Sequence, residues 1–158
     1  MTTTPETADR RTARRGFTLT ELMVVTTLIG VMAAISVPSF QRACEQSRAD
    51  IAVANLRAIW AAERLFWLEN RTYTDKLASQ TQPLPPGLAD LGLIDSEIVS
   101  STVGYVYSVP AAGTATFTAT ATRKDASGAT FGFFKIDQTG SVSGTVSTGG
   151  ATITPGFQ

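Results

Sequence analysis

From Phe17 to Val37 the chain reads FTLTELMVVTTLIGVMAAISV, a stretch whose single formal charge is Glu21. As a helix it would span ~32 Å at about 1.5 Å per residue, which matches the ~30 Å hydrocarbon core of a bilayer. Arg14 and Arg15 stand immediately before it. Basic flanks tend to stay in the cytoplasm, so the N-terminus is expected inside and everything after Pro38 outside. A cleavable secretory signal is the rival reading. Its small-residue cleavage site should come directly after the apolar run, yet the residues there are Pro38-Ser39-Phe40-Gln41-Arg42-Ala43-Cys44. Ala33-Ala34 and Ala43 are weak candidates for such a site, so the segment is expected to remain.

The rest of the 158-residue chain suits one modest domain. Lys+Arg and Asp+Glu both number 13, a balance that argues against nucleic-acid binding through a basic face. The distribution is uneven: residues 1–16 hold Arg10, Arg11, Arg14 and Arg15 against Glu6 and Asp9, so positive charge collects beside the apolar run. There is no His, and Cys44 is the only Cys. A His base, a Cys/His metal site and an intramolecular disulfide are therefore all excluded. Cys44 reads as a small hydrophobe. No nucleophile, base and orienter set stands out, so neither catalytic residues nor a cofactor is expected.

Residues 39–69 contain no Gly or Pro and are rich in Ala, Arg, Glu and Leu, which extends the helical reading. On a helical wheel Val53, Leu56, Ile59, Trp60, Phe66 and Trp67 share an arc of about 120°, with Asp50, Arg57 and Arg64 opposite. This Trp/Phe stripe reads as a core face packed on a sheet. Glu63 falls inside the apolar arc with no evident reason. Asn70 should end the helix. The connector 70–101 carries Pro83, Pro85 and Pro86, with a short helical turn expected near Leu88–Leu93. Beyond it the period becomes two: Val103–Val109, Thr116–Thr122 and Phe131–Ile136 read as strands, with a fourth at Ser141–Val146. Turns are expected at Pro110–Gly113, Asp125–Gly128 and Asp137–Gly140, and a loosely held tail from Gly149 to Gln158. The expected fold is α+β, a long N-terminal helix on a small antiparallel sheet of three or four strands.

The segment that carries functional information is Arg14-Arg15-Gly16-Phe17-Thr18-Leu19-Thr20-Glu21-Leu22. A carboxylate inside a membrane helix costs on the order of 2.5–3.5 kcal/mol at mid-bilayer and less near the interface, so a neutralising partner is expected. A cut between Gly16 and Phe17 would expose an α-amine four residues before Glu21, close to pairing distance on a helix. The basic residues, Gly16, the aromatic Phe17 and Glu21 resemble the type III signal of type IV prepilins and pseudopilins, and Pro38 matches a proline that these families tend to carry. The resemblance covers roughly residues 10–45.

That resemblance implies a prepilin peptidase removing residues 1–16 on the cytoplasmic side and methylating the amine of Phe17. It further implies a membrane pool of subunits that an assembly platform and its ATPase draw into a helical homopolymer, with or without minor pilins, in which Glu21 pairs with a neighbour's Phe17 amine. The parts would be a leader at 1–16, a membrane and filament-core helix at 17–38, an amphipathic helix at 39–69, a connecting loop at 70–101, and a sheet and tail at 102–158. Gly30 and Pro38 are the weak points of the helix, since Gly costs ~1 and Pro ~3 kcal/mol relative to Ala. Pro38 reads equally as a simple kink. Thr20, Thr26 and Thr27 make the run more polar than is usual for the family. Many pilins close a loop with a disulfide, which this chain cannot. Calcium sites occur in some pseudopilins, but Asp125 and Asp137 are two ligands where more are needed. The sequon Asn70-Arg71-Thr72 reads as chance. A pilus subunit for adhesion, motility or DNA uptake and a pseudopilin of type II secretion both remain open. So does a single-span anchored ligand-binding protein, which would keep its N-terminus uncut.

Overall fold

A computed structural model describes residues 16–78, 86–101 and 104–155. The basic leader up to Arg15, and Pro83 and Pro85 of the connector, lie outside them. The elements are α1 (Leu19–Asn70), α2 (Ser96–Ser100), β1 (Gly104–Ala112), β2 (Phe117–Lys124), β3 (Thr130–Asp137), β4 (Val142–Thr148) and β5 (Ala151–Ile153). The chain divides into two compact units, with the boundary between Ser39 and Phe40.

The described part of the first unit is helix apart from its first three residues, and all of it is exposed. Pro38 lies inside α1, which runs to Asn70 without a break. Two of the three threonines that make the run polar bond back to their own helix. The Thr26 hydroxyl donates to the carbonyls of Leu22 and Met23, and that of Thr27 to those of Met23 and Val24. Such back-bonding leaves no hydroxyl proton seeking a partner in an apolar medium.

The second unit is a five-stranded antiparallel meander, β1-β2-β3-β4-β5, with the later part of α1 on one face. Alternation places Phe117, Ala119 and Ala121 of β2 and Phe134 and Ile136 of β3 inward, where all are buried. Register confirms the shared face, since Ala121 pairs with Phe134 and Ala119 with Ile136. From the helix come Ala49, Ala52, Val53, Leu56, Ile59 and Ala62. Alanines on both layers let the helix approach the sheet, while Leu56, Ile59, Phe117 and Phe134 fill the remaining volume. The aromatic stripe is a core face, as expected, and its polar tips are used. Trp60 Nε1 donates to the Gln138 carbonyl at 3.2 Å and Trp67 Nε1 to that of Thr114 at 2.9 Å, tying the helix to two turns of the sheet.

Glu63, unplaced by the sequence, is wholly buried, and its Oε2 accepts the Thr74 amide at 3.0 Å. The helix ends at Asn70, whose side-chain amide donates to the Phe66 carbonyl, and Arg71 then turns the chain with φ 58°. The expected helical turn near Leu88–Leu93 is present as hydrogen bonds from Leu91 to Gly87 and from Leu93 to Leu88. The short α2, capped by Asp95 accepting from the Glu97 amide, has no counterpart among the expected elements.

Two strand expectations need correction. The sheet has five strands, not three or four: Thr152 and its neighbours, read as a loose tail, pair with β4 as β5. Gly149 and Gly150, with φ 58° and 77°, form the two-residue hairpin turn that only residues tolerating positive φ make easily. Nor does β1 turn at Pro110. It runs on to Ala112 and takes up Pro110 in a register irregularity between Ser108 and Ala111, where the missing amide costs no ladder bond.

Leu56→Ala should lower the stability of this unit by about 2–5 kcal/mol through cavity formation. Ile51→Ala, on the exposed side of the same helix, should change it by less than ~0.5 kcal/mol. Denaturant unfolding followed by tryptophan fluorescence measures both.

Candidate functional site: the N-terminal signal and the outer face of α1

Thr18 is the residue before α1, and Glu21 is the third residue inside it. The Glu21 amide donates to Thr18 Oγ1 at 3.2 Å, while the Thr18 amide and hydroxyl both donate to Glu21 Oε2 at 2.9 Å. This is a reciprocal capping box, in which each side chain satisfies the other residue's backbone donor. Glu21 therefore has a local use within one chain, one that the T-x-x-E spacing signals and that the sequence reading overlooked. A permanently anchored protein would not leave Glu21 idle. Both contacts engage Oε2.

Gly16 and Phe17 precede the helix, and Phe17 is 87% exposed. A methyl group added at Gly16 would meet nothing within 4 Å, and its backbone is not in the left-handed region. Nothing within the described fold asks for glycine at this position. The same holds at Gly30. Pro38 removes one helix hydrogen bond, and Ser39 beside it donates its hydroxyl to the Ser36 carbonyl. The structure thus brings Thr18 and Glu21 together, leaves Gly16 and Phe17 accessible, and among the described residues gives Gly30 and Pro38 no partners other than the helix itself.

Twelve large apolar side chains between Phe17 and Val37 are exposed. Covering them is worth on the order of 20 kcal/mol at about 1.5–3 kcal/mol each, so this helix requires a surrounding apolar medium or other helices. α1 is long and apolar enough to cross a membrane.

A second stripe, exposed except at the half-buried Cys44, lies within the second unit, on the side of α1 away from the sheet. Positions Phe40, Cys44, Ser47, Ile51, Ala54, Ala58, Ala61, Leu65 and Leu68 succeed one another at alternating spacings of four and three. That spacing is the seam by which helices interlock. Phe40 is 70% exposed, Ile51 59% and Leu68 61%. Alanines at the middle positions allow close approach of another helix. Arg57 and Arg64 border the stripe, and Arg64 lies over the Trp60 ring at 5.8 Å. The 4-3 spacing is visible in the sequence, but the larger aromatics of the buried arc mask it.

Asp125 and Asp137, weighed as calcium ligands, are engaged by their own turns. Asp125 Oδ1 accepts the Ser127 and Ala129 amides, and Asp137 Oδ1 accepts the Thr139 amide and hydroxyl. Hydroxyl contacts from Ser127 and Thr139 lead the influences that hold both carboxyls below their ordinary pKa.

Thr18→Ala should free the first turn, costing about 0.5–2 kcal/mol of local helix stability. Amide exchange at Leu19–Leu22 in detergent should quicken accordingly, while exchange in the sheet stays unchanged.

Residues 11–37 match the family model of the prokaryotic N-terminal methylation motif. Over 61 residues the chain is 43% identical to the type IV major pilin protein PilA of Myxococcus xanthus, covering 39% of this chain and 28% of that protein. Over 64 residues it is 36% identical to the type II secretion system core protein G of Pseudomonas aeruginosa, covering 40% and 45%. A fimbrial protein of Pseudomonas aeruginosa is 30% identical over 83 residues, covering 52% and 54%. The matches span between about a quarter and a half of these relatives' lengths. The methylation motif, the capped apolar helix behind it and an α+β fold of pilin type make this chain similar to the type IV pilins and pseudopilins.

Proposed function

We propose that the protein is a structural subunit of a type IV pilus-like filament, made as a precursor and polymerised through α1, and that it is not an enzyme. The observation that carries this reading is that α1 exposes an apolar surface in each unit: the run from Phe17 to Val37, and the four-three stripe from Phe40 to Leu68. A lipid-anchored monomer accounts for the first surface alone. Packing helix against helix accounts for both.

In this reading prepilin peptidase cuts after Gly16 and methylates Phe17. Glycine there answers the needs of the peptidase, consistent with the open space around it. Thr18 survives the cut, so the capping box persists in the mature chain. Glu21 Oε1 is then the oxygen offered to the Phe17 amine of a neighbouring subunit. The subunit waits in the inner membrane, N-terminus inward and sheet outward, until an assembly platform and its ATPase build the filament. Gly30 and Pro38 are the positions where the helix yields most easily on assembly. Filaments for adhesion, motility or DNA uptake are one outcome. The likeness to the secretion core protein supports a second, a pseudopilin of a type II secretion system.

Intact-mass analysis of material from cells should show a chain beginning at methylated Phe17. Mature protein still beginning at Met1 refutes the proposal. Glu21→Ala should stay in the membrane and fail to polymerise. Leu65→Asp, on the outer stripe, should leave the melting temperature within a few degrees of wild type yet abolish filaments in sheared-fibre preparations. Normal fibres from either variant would remove its residue from the assembly contact.

A further inference from the structure

Glu63 plays no part in the assembly just proposed, yet it is the one charged side chain among the described residues that is fully buried. It sits one helical turn from Ile59 and from Trp67, and its Oε2 holds the Thr74 amide at 3.0 Å. Its Oε1 has no hydrogen-bond partner among the described residues. A buried carboxyl with one oxygen unsatisfied carries a desolvation cost that grows sharply once it is ionised.

The segment it holds, residues 71–78, leaves α1 and returns along the sheet. The Tyr73 amide donates to the Gly113 carbonyl, the Tyr73 ring packs on Phe117 at 4.7 Å, and Leu77 is buried. The Lys76 and Leu77 carbonyls accept the amides of Leu88 and Ala89. One carboxyl thus lies at the root of a chain of contacts linking α1, the segment and the following loop. The ionisable groups of the segment and the following turn are Arg71, Tyr73, Asp75, Lys76 and Asp90, those on the adjoining turns of α1 are Arg64 and Glu69, and residues 79–85 contain none. The charge that acts on Glu63 is that of Asp75, which disfavours a second negative charge.

We propose that Glu63 is a proton-operated latch: as the neutral acid it closes residues 71–78 onto α1, and its ionisation releases them. Burial is the largest influence on its proton affinity, and it outweighs the Thr74 hydrogen bond that favours the anion; together with Asp75 these push the pKa from 4.5 up to about 7. The closed form therefore binds the proton more tightly than the opened form, where Glu63 meets water and titrates normally. Its stability is fully present below pH ~4.5 and is lost as pH rises through ~7.

The test is amide hydrogen exchange at Thr74 in the full-length chain in a nonionic detergent, corrected for the intrinsic pH dependence of exchange. In the wild type, protection should fall at least about tenfold between about pH 5 and pH 8, and in Glu63→Gln by less than about twofold. Wild-type protection that does not change with pH, or an equal fall in the variant, overturns the proposal. Should Glu63→Gln not fold, carbon-13 titration of the Glu63 carboxyl in the wild type decides it. A midpoint near 7 is expected, and one at the ordinary 4.5 overturns it.

Discussion

The inner face of α1 and the inner face of the sheet cover each other, and the rest of the second unit is arranged around that contact. Ala49, Ala52, Leu56, Ile59 and Ala62 meet a layer built on Phe117, Ala119, Ala121, Phe134 and Ile136, all of them buried. With one cysteine no disulfide can share the task. Directional bonds set the register of helix on sheet instead. Asn55 donates to the Tyr107 hydroxyl, Trp60 and Trp67 reach two turns, and Arg123 of β2 donates twice to Glu45. Each is a modest contribution of about 1 kcal/mol. Distributed from Glu45 to Trp67, they keep the helix from sliding along an apolar layer that has little directionality of its own.

Glu45 and Arg123 also illustrate how this unit tolerates charge near its core. Burial alone would raise the Glu45 pKa, but hydrogen bonds from Arg123 and Arg48, and their charges, bring it below its ordinary value. Arg123 spends further donors on the Gly104 and Lys124 carbonyls and lies over the Tyr105 ring at 5.8 Å. A pair satisfied in this way loses little by its partial burial, whereas removing one member would strand the other. Glu63 is the opposite case, a carboxyl with no ion-pair partner among the described residues.

Three of the four glutamates on α1 differ in what surrounds them. Glu21 stands exposed at the helix start and caps its own backbone. Glu45 is held by two guanidinium groups, and Glu63 is enclosed. Residue type is the same in all three. The assembly reading draws on the first, whose hydrogen bonds among the described residues engage Oε2 alone, and the pH-dependent latch draws on the third, which is buried without a charged partner among those residues.

Much of this was legible in the residues alone. The apolar run and its one charge, the basic-Gly-Phe-x-x-x-Glu signal, the long helix, the buried aromatic arc and the alternating strands each arise from local spacing, and local spacing is what a one-dimensional string records. The T-x-x-E capping box and the four-three outer stripe are written there too, although larger side chains nearby obscure them. Other features depended on which distant segments meet. Pro110 could stay within β1 because the pairing of β1 with β2 absorbs it, and Ala151–Ile153 became a strand because β4 offered an edge beside a Gly-Gly turn. Glu63 looked like an error in a hydrophobic arc until the chain folded back and laid the Thr74 amide against it. Burial and proton affinity arise from three-dimensional neighbours, and for that reason only the tertiary structure could decide them.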